Sequence, residues 1–236
     1  MQMEGKESSL AKRQGIMRLI IGILVFGSIW GIFEATMGGA LHMVRFPQSG
    51  AIMGGIGIAI LGSALAIYRK PQMLFGIGVV AAAFKLLNVW IFTVPCASPK
   101  IVNPAMAIIF ESLAFSIVAS FLMDKMAKRS LVSIGAGILT GMVSASAYAY
   151  FNIYASNGNL FKTTGVGSIG GYIAYHGVIQ AVVLGIFLAV GIWIGKMLSG
   201  RQLLAVDGSR LARYSSSAAI VVCCWGVSAV AVASGL

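Results

Sequence analysis

The sequence is poor in charged residues, and its few cysteines and histidines form no recognisable metal or redox motif. Only 10% of the 236 residues are charged, with six acidic side chains, two histidines and three cysteines. An average soluble domain has about 25% charged residues. The sequence lacks CxxC, HExxH, Walker A and nucleophile-elbow motifs and any Asp-rich metal motif. These absences exclude a thiolate metal site, a disulfide framework and ATP hydrolysis by this chain itself.

Apolar residues dominate instead. They make up 58% of the chain, and the mean hydropathy is +0.93. Several apolar runs reach the roughly 20 residues that a helix needs to cross the hydrocarbon of a bilayer. Backbone polar groups must be paired there, and unbroken rather than alternating apolar runs favour helices over a barrel. The sequence therefore predicts an all-α polytopic membrane protein.

Seven candidate spans can be read from the apolar runs, at 17–40, 51–69, 73–93, 101–123, 131–153, 172–196 and 216–235. The last is the weakest because it holds Cys, Trp, Ser and Gly, so we expect six or seven transmembrane helices. This divides the chain into a basic tail (1–16), a six-helix domain (17–198), a basic connection (199–215) and the seventh segment (216–235). Asn103 and Pro104 are expected in the first turn of the fourth span, with Asn103 as a possible helix N-cap.

The positive charges predict the orientation. Of the 17 Lys and Arg residues, 13 lie on the N-terminal tail and alternate connections, three lie on the opposite side, and Lys85 lies within a span. The positive-inside rule places the N-terminus in the cytoplasm. Basic residues confined to short loops do not indicate nucleic-acid binding. The longest cytoplasmic connection, 197–215, is either a basic loop or a short interfacial helix that contacts anionic lipid.

Ionisable and strongly polar residues gather in the outer halves of the spans. Glu34, Lys85 and Glu111 are the charged members, with Glu111 about 12 Å deeper than Asn103 at the helical rise. Each charge at the bilayer centre costs ~2.5–3.5 kcal/mol unless it pairs or faces water. We therefore expect a polar pocket open to the outside, with substrate-binding residues Glu34, Lys85, Asn88, Trp90, Asn103, Glu111, Tyr172, His176 and Gln180.

These residues suggest separate roles towards a solute. Glu34 and Glu111 would hold a cationic or amino group and Lys85 an anionic group, while Trp90 and Tyr172 would stack on a ring. Two structural alternatives remain open. In the first, Lys85 forms an ion pair with Glu34 or Glu111 whose only role is to specify helix packing. In the second, Trp90 and Tyr172 belong to an aromatic belt at the membrane interface.

Small residues recur every fourth position along the first span, at Gly27, Gly31, Ala35 and Gly39. Such a face lets two helix backbones approach closely. It serves either packing within this chain or contact with a partner subunit. Glu34 lies about 100° around the helix from it, so another side of the helix is available to the pocket.

These features together resemble the substrate-binding S components of energy-coupling-factor transporters. The resemblance covers roughly residues 15–198 and is carried by Gly27, Gly31, Ala35 and the outer polar set; the segment 216–235 departs from the usual six spans. It implies that the small residues of the first helix contact a membrane coupling subunit. It also implies an outward pocket for a vitamin or metal, separate ATPase subunits and a prokaryotic plasma membrane.

The sequence thus predicts a solute-binding and transport subunit for a small vitamin-like or amphoteric solute, energised by another subunit. The alternative is a non-catalytic subunit of a larger respiratory or electron-transfer membrane complex. In both cases we expect no catalytic residues, no metal and no cofactor in this chain.

Overall fold

The computed structural model describes residues 2–44, 46–92, 95–155, 165–200 and 210–235. The side chains of residues 2–12, 39, 42, 88, 92, 100, 200 and 210–213 lie outside this description. The described residues are mostly helical and contain no strand. The helices are α1 (Gln2–Met43), α2 (Ser49–Tyr68), α3 (Gln72–Ala83), α4 (Leu87–Phe92), α5 (Pro99–Met126), α6 (Ser130–Ala155), α7 (Ile169–Tyr172), α8 (Val178–Gly200) and α9 (Arg210–Ala233).

Seven of the described segments are long and apolar enough to cross a membrane, which confirms the predicted all-α polytopic class. They are Arg13–Gly38, Ser49–Tyr68, Gln72–Ile91, Ile101–Met126, Ser130–Ala155, Ile169–Ser199 and Tyr214–Ala233. The third span consists of α3, a 3₁₀ turn (Phe84–Leu86) and α4. The sixth consists of α7, a π-helical turn (Ile173–Gly177) and α8. The protein is an integral membrane protein.

Six of the spans pack as a closed ring. Around it, α1 contacts α2, α2 contacts α8, α8 contacts α6, α6 contacts α5, α5 contacts α3, and α3 returns to α1. The buried core fills the ring with aliphatic and aromatic side chains, among them Leu61, Leu74, Phe115 and Leu184. We call "outer end" the end of this ring where α1, α4 and α6 end and α5 and α7 begin; the charge distribution assigns it to the outside.

Glycines set the closest helix contacts, because lipid supplies no hydrophobic force to drive helices together. A Cβ on Gly191 of α8 would overlap the backbone of Ala59 on α2, and one on Gly195 would lie 2.5 Å from the carbonyl oxygen of Ser63. The Ser63 hydroxyl donates a hydrogen bond of 2.8 Å to the Gly191 carbonyl. The α2–α8 contact is therefore close enough for side chain-to-backbone bonding between helices.

The small-residue face of α1 packs within this chain. A Cβ on Gly27 would lie 2.5 Å from Val80 Cβ, and one on Gly31 would overlap the Phe84 ring. Ala35 is buried, and the surroundings of Gly39 lie outside the described part of the chain. Because the third span covers Gly27 and Gly31, these two glycines are not available to a partner subunit. At Gly27 and Gly31, the third span therefore occupies the surface that the resemblance implies for a coupling subunit.

Two sequence-based helix boundaries and the role of Asn103 as N-cap need correction. Helix α1 continues to Met43 and so includes the backbone of His42, which we expected beyond the helix end. Helix α5 begins at Pro99, the preferred N1 position for proline, after Ser98 in an extended conformation. Asn103 and Pro104 therefore lie in the second helical turn, and Asn103 is not the N-cap. Pro104 therefore lies inside the helix, where its missing N–H leaves the carbonyl of residue 100 without its helical donor.

The seventh span, which is α9, packs on the outside of the ring. It contacts α1 and α4, and its Trp225 ring lies 4.1 Å, centroid to centroid, from the ring of Phe84. Ser228 and Val232 of α9 are buried. The segment that the sequence marked as weakest therefore forms part of the helix bundle.

We expect Gly191→Ala to lower the thermal unfolding temperature of the purified protein in detergent. The added methyl group would push on the α2 backbone, and overpacking of this kind costs typically 1–3 kcal/mol. The matched control is Gly135→Ala on α6, where a Cβ would meet nothing within 4 Å. An equal loss of stability in both variants would contradict the close α2–α8 contact.

Candidate functional site

The outer half of the ring encloses a cavity of about 690 Å³, which we call the outer cavity. Its wall includes residues from α1, α2, α5, α6, α8 and α9, from the 3₁₀ turn of the third span and from α7. Six of the nine predicted substrate-binding residues line it: Glu34, Lys85, Asn103, Glu111, Tyr172 and Gln180. The structure therefore brings together residues that lie as much as 146 positions apart in the sequence.

An ion pair connects two walls of the outer cavity. Lys85 Nζ lies 3.0 Å from Glu34 Oε2, and the two side chains are 14% and 9% exposed. Lys85 Nζ also donates a hydrogen bond of 3.3 Å to the main-chain carbonyl of Glu34. Lys85 lies in the 3₁₀ turn that interrupts the α-helix of the third span, so the ion pair joins this turn to α1. Lys85 is thus paired with Glu34, which is one of the two carboxylate partners that the sequence suggested for it.

Glu111 of α5 is the second buried carboxylate, with 4% exposure. Its carboxylate rests against α2 at Gly54, where a Cβ would lie only 2.6 Å from Glu111 Oε2. Glu111 Oε1 is buried and has no hydrogen-bond partner among the described residues. It lies close enough to Glu34 for the two carboxylates to interact electrostatically. Glu111 therefore differs from Glu34, because it has no cationic partner in the described part of the chain.

Aromatic side chains form much of the remaining wall: Trp30, Phe84, Tyr148 and Tyr172. Trp30 is fully buried, and its indole lies against α2 at Gly57, where a Cβ would overlap the indole ring. Sequence reasoning missed Trp30 and Phe84 as site residues. Their positions carried a signal, since Trp30 precedes Glu34 by one helical turn on the same face and Phe84 adjoins Lys85.

Three predicted site residues are not among those that line the outer cavity. Trp90 is 83% exposed and points away from the ring, the orientation of an interfacial belt rather than of a stacking platform. His176 stacks on Tyr172, with ring centroids 5.0 Å apart, and so supports a wall residue from outside the lining. The side chain of Asn88 lies outside the described part of the chain.

No family model, curated protein or solved structure matches this chain. The outer cavity and its buried groups are therefore the basis for a functional proposal.

We expect Lys85→Met to destabilise the protein far more than the double change Glu34→Gln with Lys85→Met. Removing one member of a buried pair leaves an uncompensated charge and costs about 3–5 kcal/mol, whereas neutralising both members avoids that penalty. Thermal or denaturant unfolding of the single and double variants in detergent measures the difference.

The exposed pair between Arg69 and Asp124, 2.6 Å apart with side chains 49% and 76% exposed, supplies the control. Exposed ion pairs contribute at most about 1 kcal/mol. Arg69→Ala should therefore change the unfolding temperature little. A Lys85→Met variant no less stable than Arg69→Ala would show that the Glu34 pair is not a buried one.

Proposed function

We propose that this protein is a membrane subunit that binds a small solute in the outer cavity and takes part in its transport. The observation that carries the proposal is the position of two buried carboxylates and one lysine in the wall of a single cavity of about 690 Å³. Small-molecule sites typically enclose about 300–1,000 Å³, with a few polar groups in a mainly apolar wall. The outer cavity has this size and this composition.

The cavity is not a simple consequence of loose helix packing. The same α2 helix that borders it is in backbone contact with α8 at Gly191 and Gly195. A packing defect is also lined by apolar groups as a rule, whereas buried ionisable groups are costly in a membrane and mark solute or ion sites. Buried Glu111, with an oxygen that has no hydrogen-bond partner among the described residues, supports a site for a solute.

Transport requires an energy source outside this chain, because the sequence has no Walker A motif. The S-component resemblance supplies a model in which separate coupling and ATPase subunits move the loaded subunit. Here Gly27 and Gly31 are covered by the third span, so the proposed coupling subunit would contact a different surface. The basic residues at the cytoplasmic end, together with anionic lipid, are compatible with such a contact.

The full chain purified from its native membrane should carry a small molecule that mass spectrometry detects. We expect Ala107→Trp to abolish this signal, because Ala107 lines the outer cavity one helical turn before Glu111 and an indole there would take up the space beside the carboxylate. Leu113→Trp is the matched control: it adds a large side chain to the same helix at a position 40% exposed on the outside of the ring.

Retention of the small molecule by Ala107→Trp would place the binding site elsewhere. Co-purification of coupling and ATPase subunits would support transport. Co-purification of redox subunits, with no small molecule bound to this chain, would instead support a role in a respiratory complex and would overturn the proposal.

A further inference from the structure

The charged groups that line the outer cavity do not balance. In the described part of the chain they are Glu34, Lys85 and Glu111. Lys85 is paired with Glu34 at 3.0 Å, and these two charges compensate each other. Glu111 remains, so the ionised wall has a formal net charge of one negative.

A single buried carboxylate is costly unless something compensates it. Its desolvation amounts to several kcal/mol, and the nearby Glu34 carboxylate adds repulsion rather than attraction. Glu111 Oε1 is buried without a hydrogen-bond partner among the described residues. A positive charge in the cavity beside the Glu111 carboxylate would offset both its desolvation and its repulsion by Glu34.

Gly54 makes room for this carboxylate. A Cβ at this position would come within 2.6 Å of Glu111 Oε2 and 3.5 Å of its Cδ, so a larger residue would displace the carboxylate from its place against α2. Real Cβ atoms essentially never approach a neighbour to that distance. Gly54 therefore acts as a positioning residue that holds Glu111 in the cavity wall.

The rest of the wall favours an organic cation. Among the aromatic wall residues, Trp30 and Phe84 are fully buried, whereas the Tyr148 ring is only partly buried. A cation that lies over such a ring is attracted by its negative face. No group of three His, Cys, Asp or Glu side chains that would hold a metal ion occurs among the described residues.

We infer that the solute bound in the outer cavity is an organic monocation whose protonated amine contacts Glu111, held against Gly54. This inference rests on the proposed solute-binding function and narrows it. An amphoteric solute is disfavoured, because the lysine that would take its anionic group is engaged by Glu34.

Three indoles of similar shape and different charge test the inference: tryptamine (a cation), tryptophol (neutral) and indole-3-acetate (an anion). Binding to the full chain in lipid nanodiscs is measured by isothermal titration calorimetry. A hydrogen bond to a charged group contributes about 1.5–3 kcal/mol, so tryptamine should bind roughly tenfold to a hundredfold more tightly than tryptophol. Indole-3-acetate should bind least tightly.

Glu111→Gln keeps the shape of the side chain and removes its charge. We expect it to reduce the affinity for tryptamine by roughly the same tenfold to hundredfold and to leave tryptophol binding unchanged. Gly54→Ala should act in the same direction by displacing the carboxylate. Gly226→Ala on α9, where a Cβ would meet nothing within 4 Å, is the control and should bind all three probes as the wild type does.

Tryptophol binding shows that each variant is folded, so a selective loss of tryptamine binding cannot result from unfolding. Equal affinities for tryptamine and tryptophol, unchanged tryptamine binding in Glu111→Gln, or no binding of any probe would overturn the inference. A neutral or anionic molecule found on the native protein would also overturn it. That last result would leave the solute-binding function intact, whereas the absence of any bound molecule would count against the function itself.

Discussion

The ion pair between Lys85 and Glu34 is the interaction on which the account of the outer cavity depends. It joins the break in the third span to the first helix at 3.0 Å and compensates two of the three charges in the wall. If Lys85 paired with Glu111 instead, the cavity would contain no uncompensated carboxylate on α5. Because Lys85 is held on Glu34, Glu111 is left to interact with whatever enters the cavity.

Helix α2 makes this arrangement possible through glycines on two of its sides. Gly54 and Gly57 lie against the Glu111 carboxylate and the Trp30 indole, while Gly55 and Gly62 lie against side chains of α8. The absence of Cβ atoms on one side brings α8 close, as small residues do in membrane bundles generally. On the other side it accommodates large polar and aromatic groups from α1 and α5. One helix thus contributes both tight packing and the back wall of the cavity.

The sequence alone was sufficient to predict six of the seven spans and to propose the seventh, because hydropathy and loop charge report directly on the bilayer. It also offered Lys85 as a partner of either Glu34 or Glu111, since a lone charge in hydrocarbon needs a partner. It did not predict the direction of Trp90, the place of α9 beside α1 or the contact of Glu111 with Gly54. These depend on helix rotation and order in the ring, and neighbouring helices rather than local pattern set both. The early start of α5 was missed because Pro99 suits a loop and a first helical position equally well.

The central claim is that Glu111 faces a bound solute in the outer cavity. An experimental cryo-electron microscopy map of the full chain in a lipid nanodisc, enlarged by an antibody fragment on its cytoplasmic face, tests it most directly. The account predicts non-protein density within hydrogen-bond distance of the Glu111 carboxylate, with Lys85 still on Glu34. A map in which the Glu111 carboxylate has moved onto Lys85, with side chains filling the cavity, would contradict it.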